Sequence, residues 1–121
     1  MLLDSNIVIY SGLDEHARLR DFIERHAPSV SAVTHVEVLG FHGLAVSDRA
    51  YFEAFFARCP TLPVSDAVIR GAVDLRQRRR MPLGDALIAA TALAHGLALV
   101  TRNAADFGWI DGLALVNPFD A

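Results

Sequence analysis

Apolar residues follow one another almost without interruption over residues 86–93, where Thr91 is the one polar side chain. A helix with no polar face belongs inside a protein, covered on both sides. Gly96 suits the left-handed conformation that commonly ends a helix. The apolar run over residues 97–100 then has the pattern of a parallel strand buried on both faces. The pattern predicts a helix that begins at Asp85, a turn, and a buried strand.

Similar runs divide the rest of the chain into short strands that alternate with longer helices. We predict strands over residues 1–4, 29–33, 61–64, 97–100 and 113–116. We predict helices over residues 7–10, 14–26, 34–44, 47–58, 65–80 and 85–95, and one more that begins at Asn103. Such alternation is typical of a mostly parallel sheet covered by helices on both faces. The expected fold class is therefore α/β, a three-layer α/β/α sandwich built as a single domain over residues 1–121.

The charge balance excludes several classes of site. There are 14 acidic and 11 basic residues, and every basic residue is an arginine. The absence of lysine excludes P-loop nucleotide binding, Schiff-base chemistry, and receiver-domain or haloacid-dehalogenase-type sites. The single cysteine, Cys59, excludes an internal disulfide and a multi-cysteine zinc site. No apolar run is long enough to span a membrane and the N-terminus has no signal-peptide pattern, so we expect a cytoplasmic protein without membrane association.

Four acidic residues lie next to predicted strand ends or helix starts. Asp4, Glu37 and Asp106 follow strands, while Asp85 opens a helix. Each has a purely structural interpretation, because Thr34 and Glu37 match a capping box and helix starts favour acids. However, the carboxyl ends of parallel strands share one edge of a sheet, where four carboxylates would repel one another. A divalent cation relieves that repulsion, and oxygen ligands select Mg²⁺ or Mn²⁺ rather than zinc.

A cluster of arginines ends the predicted helix that precedes Asp85. It consists of Arg76, Arg78, Arg79 and Arg80. Cations complement the dipole at the C-terminus of a helix, so the cluster can be a solvated helix end. The same guanidinium groups can also form a phosphate-binding rim beside the acidic residues. The sequence leaves both interpretations open.

Four motifs resemble those of PIN-domain ribonucleases, in particular toxins of the VapC kind from bacterial toxin–antitoxin pairs. The opening LLDSN resembles D-x-N after the first strand, and SAVTHVEV at residues 31–38 resembles S-x-x-T-x-x-E-L with valine in the last place. PLGDALIA at residues 82–89 resembles the third motif, an aspartate followed by I-A. TRNAADF at residues 101–107 resembles T-x-N-x-x-D-F. The motifs occur in the family's order and span residues 3–107.

This resemblance implies a PIN-like fold, a site and an activity. The implied catalytic and metal-binding residues, around Mg²⁺ or Mn²⁺, are Asp4, Glu37, Asp85 and Asp106. The implied supporting polar shell is Asn6, Thr34, Thr101 and Asn103. The implied activity is endonucleolytic cleavage of RNA by a metal-activated water, which leaves a 5′-phosphate. The implied partners are the RNA substrate, a cognate antitoxin protein and a second copy of the chain in a homodimer.

The sequence leaves two other functions open. A non-catalytic regulatory subunit could keep the fold and bind RNA or a partner protein. A flap-type nuclease directed at DNA is the third interpretation, since related folds cut DNA. The short chain argues against it, because no extra helical segment is available to clamp a DNA flap.

Overall fold

The computed structural model describes residues 1–120 as a parallel sheet packed between helices. The strands are β1 (Leu2–Leu3), β2 (Ser29–Ser31), β3 (Thr61–Leu62), β4 (Leu99–Val100) and β5 (Leu115–Val116). The α-helices are α1 (Ser5–Ser11), α2 (Ala17–His26), α3 (Ala32–Leu39), α4 (Val46–Arg58), α5 (Asp66–Arg78), α6 (Leu83–His95) and α7 (Ala104–Phe107). All the strand pairs are parallel, in the order β3-β2-β1-β4-β5. The predicted three-layer α/β/α fold is therefore confirmed.

Neighbouring residues on the central strands face opposite layers. Leu2 and Leu99 lie in the core formed with α5 and α6. Leu3 and Val100 lie in the core on the other face of the sheet, with Val30 and residues of α1 to α4. Successive side chains of a strand point to opposite faces, so β1 and β4, each two residues long, contribute to both cores. This arrangement explains why these strands read as continuous apolar runs.

Helix α6 is the buried helix that the apolar pattern predicts. It begins at Leu83, two residues before Asp85, and ends at His95, after which Gly96 adopts the left-handed conformation with φ 64°. Gly71 allows α5 to approach closely, because a Cβ atom at this glycine would lie 3.2 Å from Cβ of Ala90. Because only residues 79–82 connect them, α5 and α6 pack against each other as an antiparallel pair. The C-terminal end of α5 therefore lies near Asp85.

Several helix bounds differ from the sequence predictions, most clearly those of α2 and of α3, which also ends at Leu39 rather than at residue 44. Helix α3 begins at Ala32, capped by Ser31, whose Oγ accepts a 3.1 Å hydrogen bond from the amide of Val33. The predicted Thr34–Glu37 capping box is therefore wrong. Helix α2 begins at Ala17, after a 3₁₀ turn over Asp14–His16, rather than at the predicted Asp14.

Asn103, at which the sequence predicts the last helix to begin, immediately precedes α7. Within residues 1–120, the Asn103 side chain makes no capping hydrogen bond. The backbone carbonyl of Asn103 instead accepts a 3.0 Å hydrogen bond from the amide of Asp106. Ser65, the first residue of the predicted helix 65–80, caps α5, since its Oγ accepts from the amide of Val68. In the described part of the chain, no helix is both long and apolar enough to cross a membrane.

Candidate active site at the carboxyl edge of the sheet

Asp4 lies directly after the central strand and is almost fully buried, with 4% of its surface exposed. Its amide donates to the carbonyl of Val100 on β4 at 3.0 Å, which fixes the backbone at the carboxyl edge. Its Oδ2 accepts a 2.9 Å hydrogen bond from the hydroxyl of Thr101. Burial raises the pKa of Asp4, and the charges of Glu37 and Asp106 add to this, although the hydrogen bonds from Thr101 and the Ser5 backbone oppose it.

A chain of hydroxyl groups connects the interior to Glu37. Ser5 donates from Oγ to Oε1 of Glu37 at 2.7 Å, and Ser5 Oγ also lies 3.0 Å from Oγ1 of Thr34. Because a serine hydroxyl has one proton, which Ser5 gives to Glu37, Thr34 must donate to Ser5. Ser5 and Thr34 are buried, while Glu37 is exposed. The two hydroxyls therefore hold the carboxylate of an otherwise mobile surface side chain.

Asp85 lies in the first turn of α6 and is partly buried. Burial, and then the charges of Asp4, Glu37 and Asp106, raise its pKa to about 6. Gly84, the preceding residue, lies against Glu37, since a Cβ atom there would be 2.6 Å from Oε2 of that side chain. The start of α6 is thus in close contact with α3 at this edge.

Asp106 completes the acidic set from an exposed position on α7. Its charge contributes to the raised pKa values of both Asp4 and Asp85. Its backbone carbonyl accepts a 3.0 Å hydrogen bond from the indole of Trp109. The loop before α7 is held by Thr101, whose Oγ1 accepts from the amide of Asn103 at 3.0 Å.

The structure therefore brings the four predicted acids to one edge of the sheet, together with Thr34, Thr101 and Asn103 from the predicted polar shell. Asn6 is exposed on α1, directly after Ser5 in the chain. Across residues 1–120, no three carboxylate, imidazole or thiol groups already meet at metal-ligand spacing. The acids are nevertheless close enough for their charges to raise the pKa values of Asp4 and Asp85. An all-oxygen set of repelling carboxylates has the chemistry of a magnesium or manganese site, so these residues fit such an ion.

The arginine cluster lies at the C-terminal end of α5, next to the start of α6, and three of its four members make contacts within the chain. Arg78 pairs with Asp74 at 3.1 Å, and Arg76 donates to the carbonyl of Met81 at 3.3 Å. The guanidinium of Arg79 lies 5.5 Å from the ring centroid of Trp109. The cluster lines a groove of about 750 Å³, whose apolar wall includes Leu83 of α6.

This groove lies on the far side of α6 from Asp85. Its lining includes Leu83 and Leu87, which share one face of the helix, whereas Asp85 lies two positions after Leu83 and so points to the other side. None of the four acids lines the groove. The arginines are near the acidic edge without facing it directly.

Sequence reasoning missed two residues of the site, Ser5 and Gly84. In the sequence, Ser5 is one of several polar residues typical of a turn after a strand. Its burial depends on the packing of α3 beside it, which the sequence does not show. Gly84 has no local signal either, because its role is to leave room for a side chain from another helix. Only their position in the sequence could have indicated a role in the site, since each is the direct neighbour of a predicted acid.

The sequence profile of the PIN domain family matches residues 1–111. This match confirms the resemblance carried by the four motifs. No curated protein sequence matches the chain. Among solved structures, a toxin–antitoxin complex from Klebsiella pneumoniae has 29% identity and a TM-score of 0.79, over 99% of this chain and 98% of that chain.

Two further structures share the fold. VapBC2 from Rickettsia felis, bound to a DNA fragment from its promoter, has 22% identity and a TM-score of 0.85, over 96% of each chain. VapBC-5 from Mycobacterium tuberculosis has 25% identity and a TM-score of 0.64, over 96% of each chain. The similarity extends over nearly the full length of both chains in each comparison.

Proposed function

The chain belongs to the PIN domain family, and from this premise we propose that it is a metal-dependent endoribonuclease. In this proposal residues 1–121 form a single nuclease domain, which acts on cytoplasmic RNA as the toxin of a toxin–antitoxin pair. The observation that carries the proposal is the buried, hydrogen-bonded Asp4 at the centre of an intact set of acids. A protein that used this edge only for packing would gain nothing from a buried carboxylate whose pKa is raised further by the neighbouring acids Glu37 and Asp106.

Asp4 and Asp85 are the proposed direct ligands of Mg²⁺ or Mn²⁺, with Glu37 and Asp106 completing the acidic set. When bound, the ion supplies activation of a water molecule and neutralises charge on the phosphate. Thr101 donates to Oδ2 of Asp4 and the Ser5 backbone also donates to this carboxylate. Because each carboxylate oxygen has two lone pairs, acceptor sites remain for a cation. Ser5 similarly occupies Oε1 of Glu37. The hydroxyls therefore pre-orient the carboxylates, which otherwise would need ordering at a cost in entropy.

A cognate antitoxin protein and a homodimer are the proposed protein partners. The solved structures similar to this chain include a toxin–antitoxin complex and VapBC complexes. Apolar side chains exposed on this chain, among them Val36, Phe41 and Val46, give a partner surface to bury. Light scattering of the pure chain at micromolar concentration tests the dimer, and a monomer there would contradict it.

Cleavage by the purified protein tests the proposed activity. We would compare single-stranded RNA, structured RNA and single-stranded DNA in Mg²⁺, in Mn²⁺ and in excess chelator. The proposal requires cleavage of RNA that depends on the ion and leaves 5′-phosphates. RNA binding without cleavage in either ion would favour the regulatory subunit, and preferential cleavage of DNA would favour the DNA nuclease.

A further inference from the structure

Arg102 occupies an exposed position between two residues of the site loop, Thr101 and Asn103. Its guanidinium carbon lies 4.4 Å from the ring centroid of Phe119 and 5.3 Å from that of Tyr10. Thr101, the residue before it, donates to the buried carboxylate of Asp4. A positive charge is thus held on an aromatic surface immediately beside the acidic edge.

The aromatic surface is itself built from three separate parts of the chain. Tyr10 lies on α1, His16 in the 3₁₀ turn, and Phe119 after β5. Their rings pack edge to face, with centroid separations of 5.9 Å, 6.0 Å and 5.1 Å. The amide of Phe119 also donates to Oδ1 of Asn117 at 3.0 Å, which orders the segment. These contacts fix the aromatic surface, and stacking on it restricts the otherwise flexible side chain of Arg102.

The charge of Arg102 is not neutralised by a carboxylate in the described chain. Among residues 1–120, the ion pairs are Arg49–Glu53 and Arg78–Asp74. Arg102 therefore differs from Arg78, which already has an acidic partner. A guanidinium that stacks through one face keeps its N–H groups, which lie in the plane of the guanidinium, available to an anion.

The acidic edge repels an RNA substrate, and a nearby positive charge offsets this repulsion. Four carboxylates at one edge repel the phosphates of RNA, in a chain whose net charge is already −3. A cation fixed beside them lowers that repulsion locally and can orient the strand. We propose that Arg102, held on Phe119 and Tyr10, binds a backbone phosphate of single-stranded RNA next to the phosphate that is cleaved. This inference rests on the proposed ribonuclease function.

RNA fits this surface better than a protein partner does. The arginine is stacked on half-buried rings beside the acidic edge. It can therefore contact an RNA strand whose phosphate enters the acidic site. An acidic side chain of a partner protein is the alternative ligand. A binding experiment that contains RNA and no partner protein separates the two.

The test is the salt dependence of RNA binding by Arg102→Gln. We would measure the affinity of the full chain for a single-stranded RNA oligonucleotide across a salt series, in Ca²⁺ to suppress cleavage. Removal of one arginine–phosphate interaction should reduce the log–log slope by about 0.7 and weaken binding at low salt. Arg102→Lys should keep the slope but bind more weakly, because lysine lacks the planar fork.

Arg25→Gln provides the matched control. Arg25 is exposed at the end of α2, just before β2 begins, and so lies at the opposite edge of the sheet. This variant removes the same charge and should keep both the slope and the affinity. A slope for Arg102→Gln equal to that of the wild type, or an equal change in both variants, would overturn the inference. Absence of RNA binding and cleavage by the wild-type chain would instead contradict the proposed function itself.

Discussion

Gly84 and Glu37 lie so close together that a Cβ atom at Gly84 would be 2.6 Å from Oε2 of Glu37. The glycine is followed by Asp85, and the glutamate is held from its other side by Ser5. The start of α6 and the Glu37 side chain of α3 therefore fit closely together at the acidic edge. Any side chain at residue 84 must displace the carboxylate.

Gly84→Ala should impair cleavage while leaving the fold intact. Glu37 is an exposed side chain that can swing away, so the strain is relieved without disturbing the core. A displacement of about 1 Å at a catalytic group costs on the order of 100-fold in rate. We would measure RNA cleavage and the melting temperature, with Gly12→Ala as the control, since its added Cβ would meet atoms at an ordinary 3.4 Å. Wild-type cleavage by Gly84→Ala would show that the position of Glu37 is unimportant.

Asp4→Asn should abolish RNA cleavage and retain the fold. The asparagine carbonyl can still accept the hydrogen bond from Thr101, while the negative charge that a divalent cation needs is removed. We expect a decrease of at least about 100-fold in the cleavage rate, as for other removals of a single catalytic interaction. Asp111→Asn, which changes an exposed acid in the loop before β5, is the control. Equal cleavage by Asp4→Asn and the wild type would remove Asp4 from the site.

The stability of the metal-free protein should decrease as the pH rises from about 4 to about 6. The folded pKa of Asp85 is about 6, whereas an unfolded aspartate titrates near 3.9. The folded chain therefore binds this proton more tightly than the unfolded chain does, and ionisation of Asp85 costs stability across that interval. In chelator at neutral pH, Asp85→Asn should be more stable than the wild type by about 1 to 2 kcal/mol, after allowance for solvent screening.

Urea denaturation at several pH values checks this expectation. The advantage of Asp85→Asn should shrink towards pH 4, where the wild-type carboxyl group is largely protonated in the folded state and partly protonated in the unfolded state. An advantage that is constant with pH would mean that the charge of Asp85 is not what destabilises the native protein.

Glu37→Gln should remove cleavage with little effect on stability. The glutamate is not part of a capping box, because Ser31 caps α3. We therefore expect a change in unfolding free energy within about 0.5 kcal/mol. Ser31→Ala should cost about 1 kcal/mol, the usual value for removal of a cap. Denaturation of both variants in chelator, alongside cleavage by Glu37→Gln, tests the pair; a large destabilisation by Glu37→Gln would assign the residue a structural role.

The arginines at the end of α5 give a second test of RNA binding. If Arg78, Arg79 and Arg80 bind RNA phosphates, their replacement by glutamine should reduce the log–log salt slope by about 0.7 for each phosphate that is no longer bound. The metal site should be unaffected, so binding should weaken more than the chemical step. An unchanged slope would mean that Arg78 and Arg79 serve only their interactions with Asp74 and Trp109.

Features that depend on neighbouring residues were predictable from the sequence, and features that depend on distant contacts were not. The buried helix and the glycine that ends it are local patterns, as is the alternation that gives a parallel sheet. The cap of α3 was misassigned because Ser31 and Thr34 are both good capping residues near the same helix start, and propensity does not choose between them. The aromatic surface under Arg102 could not be predicted from the sequence, because Phe119 lies outside every motif.

The hydrogen bond between Asp4 and Thr101 joins residues 97 positions apart. The central strand gains β2 as a neighbour early in synthesis, but β4 is added only after Leu99 and Val100 have left the ribosome. Until then the growing chain carries Asp4 without the threonine that orients it, and without Asp85 and Asp106 folded beside it. The order of the strands thus prevents assembly of the acidic edge until β4 and Thr101 are available, 97 residues after Asp4 has been made.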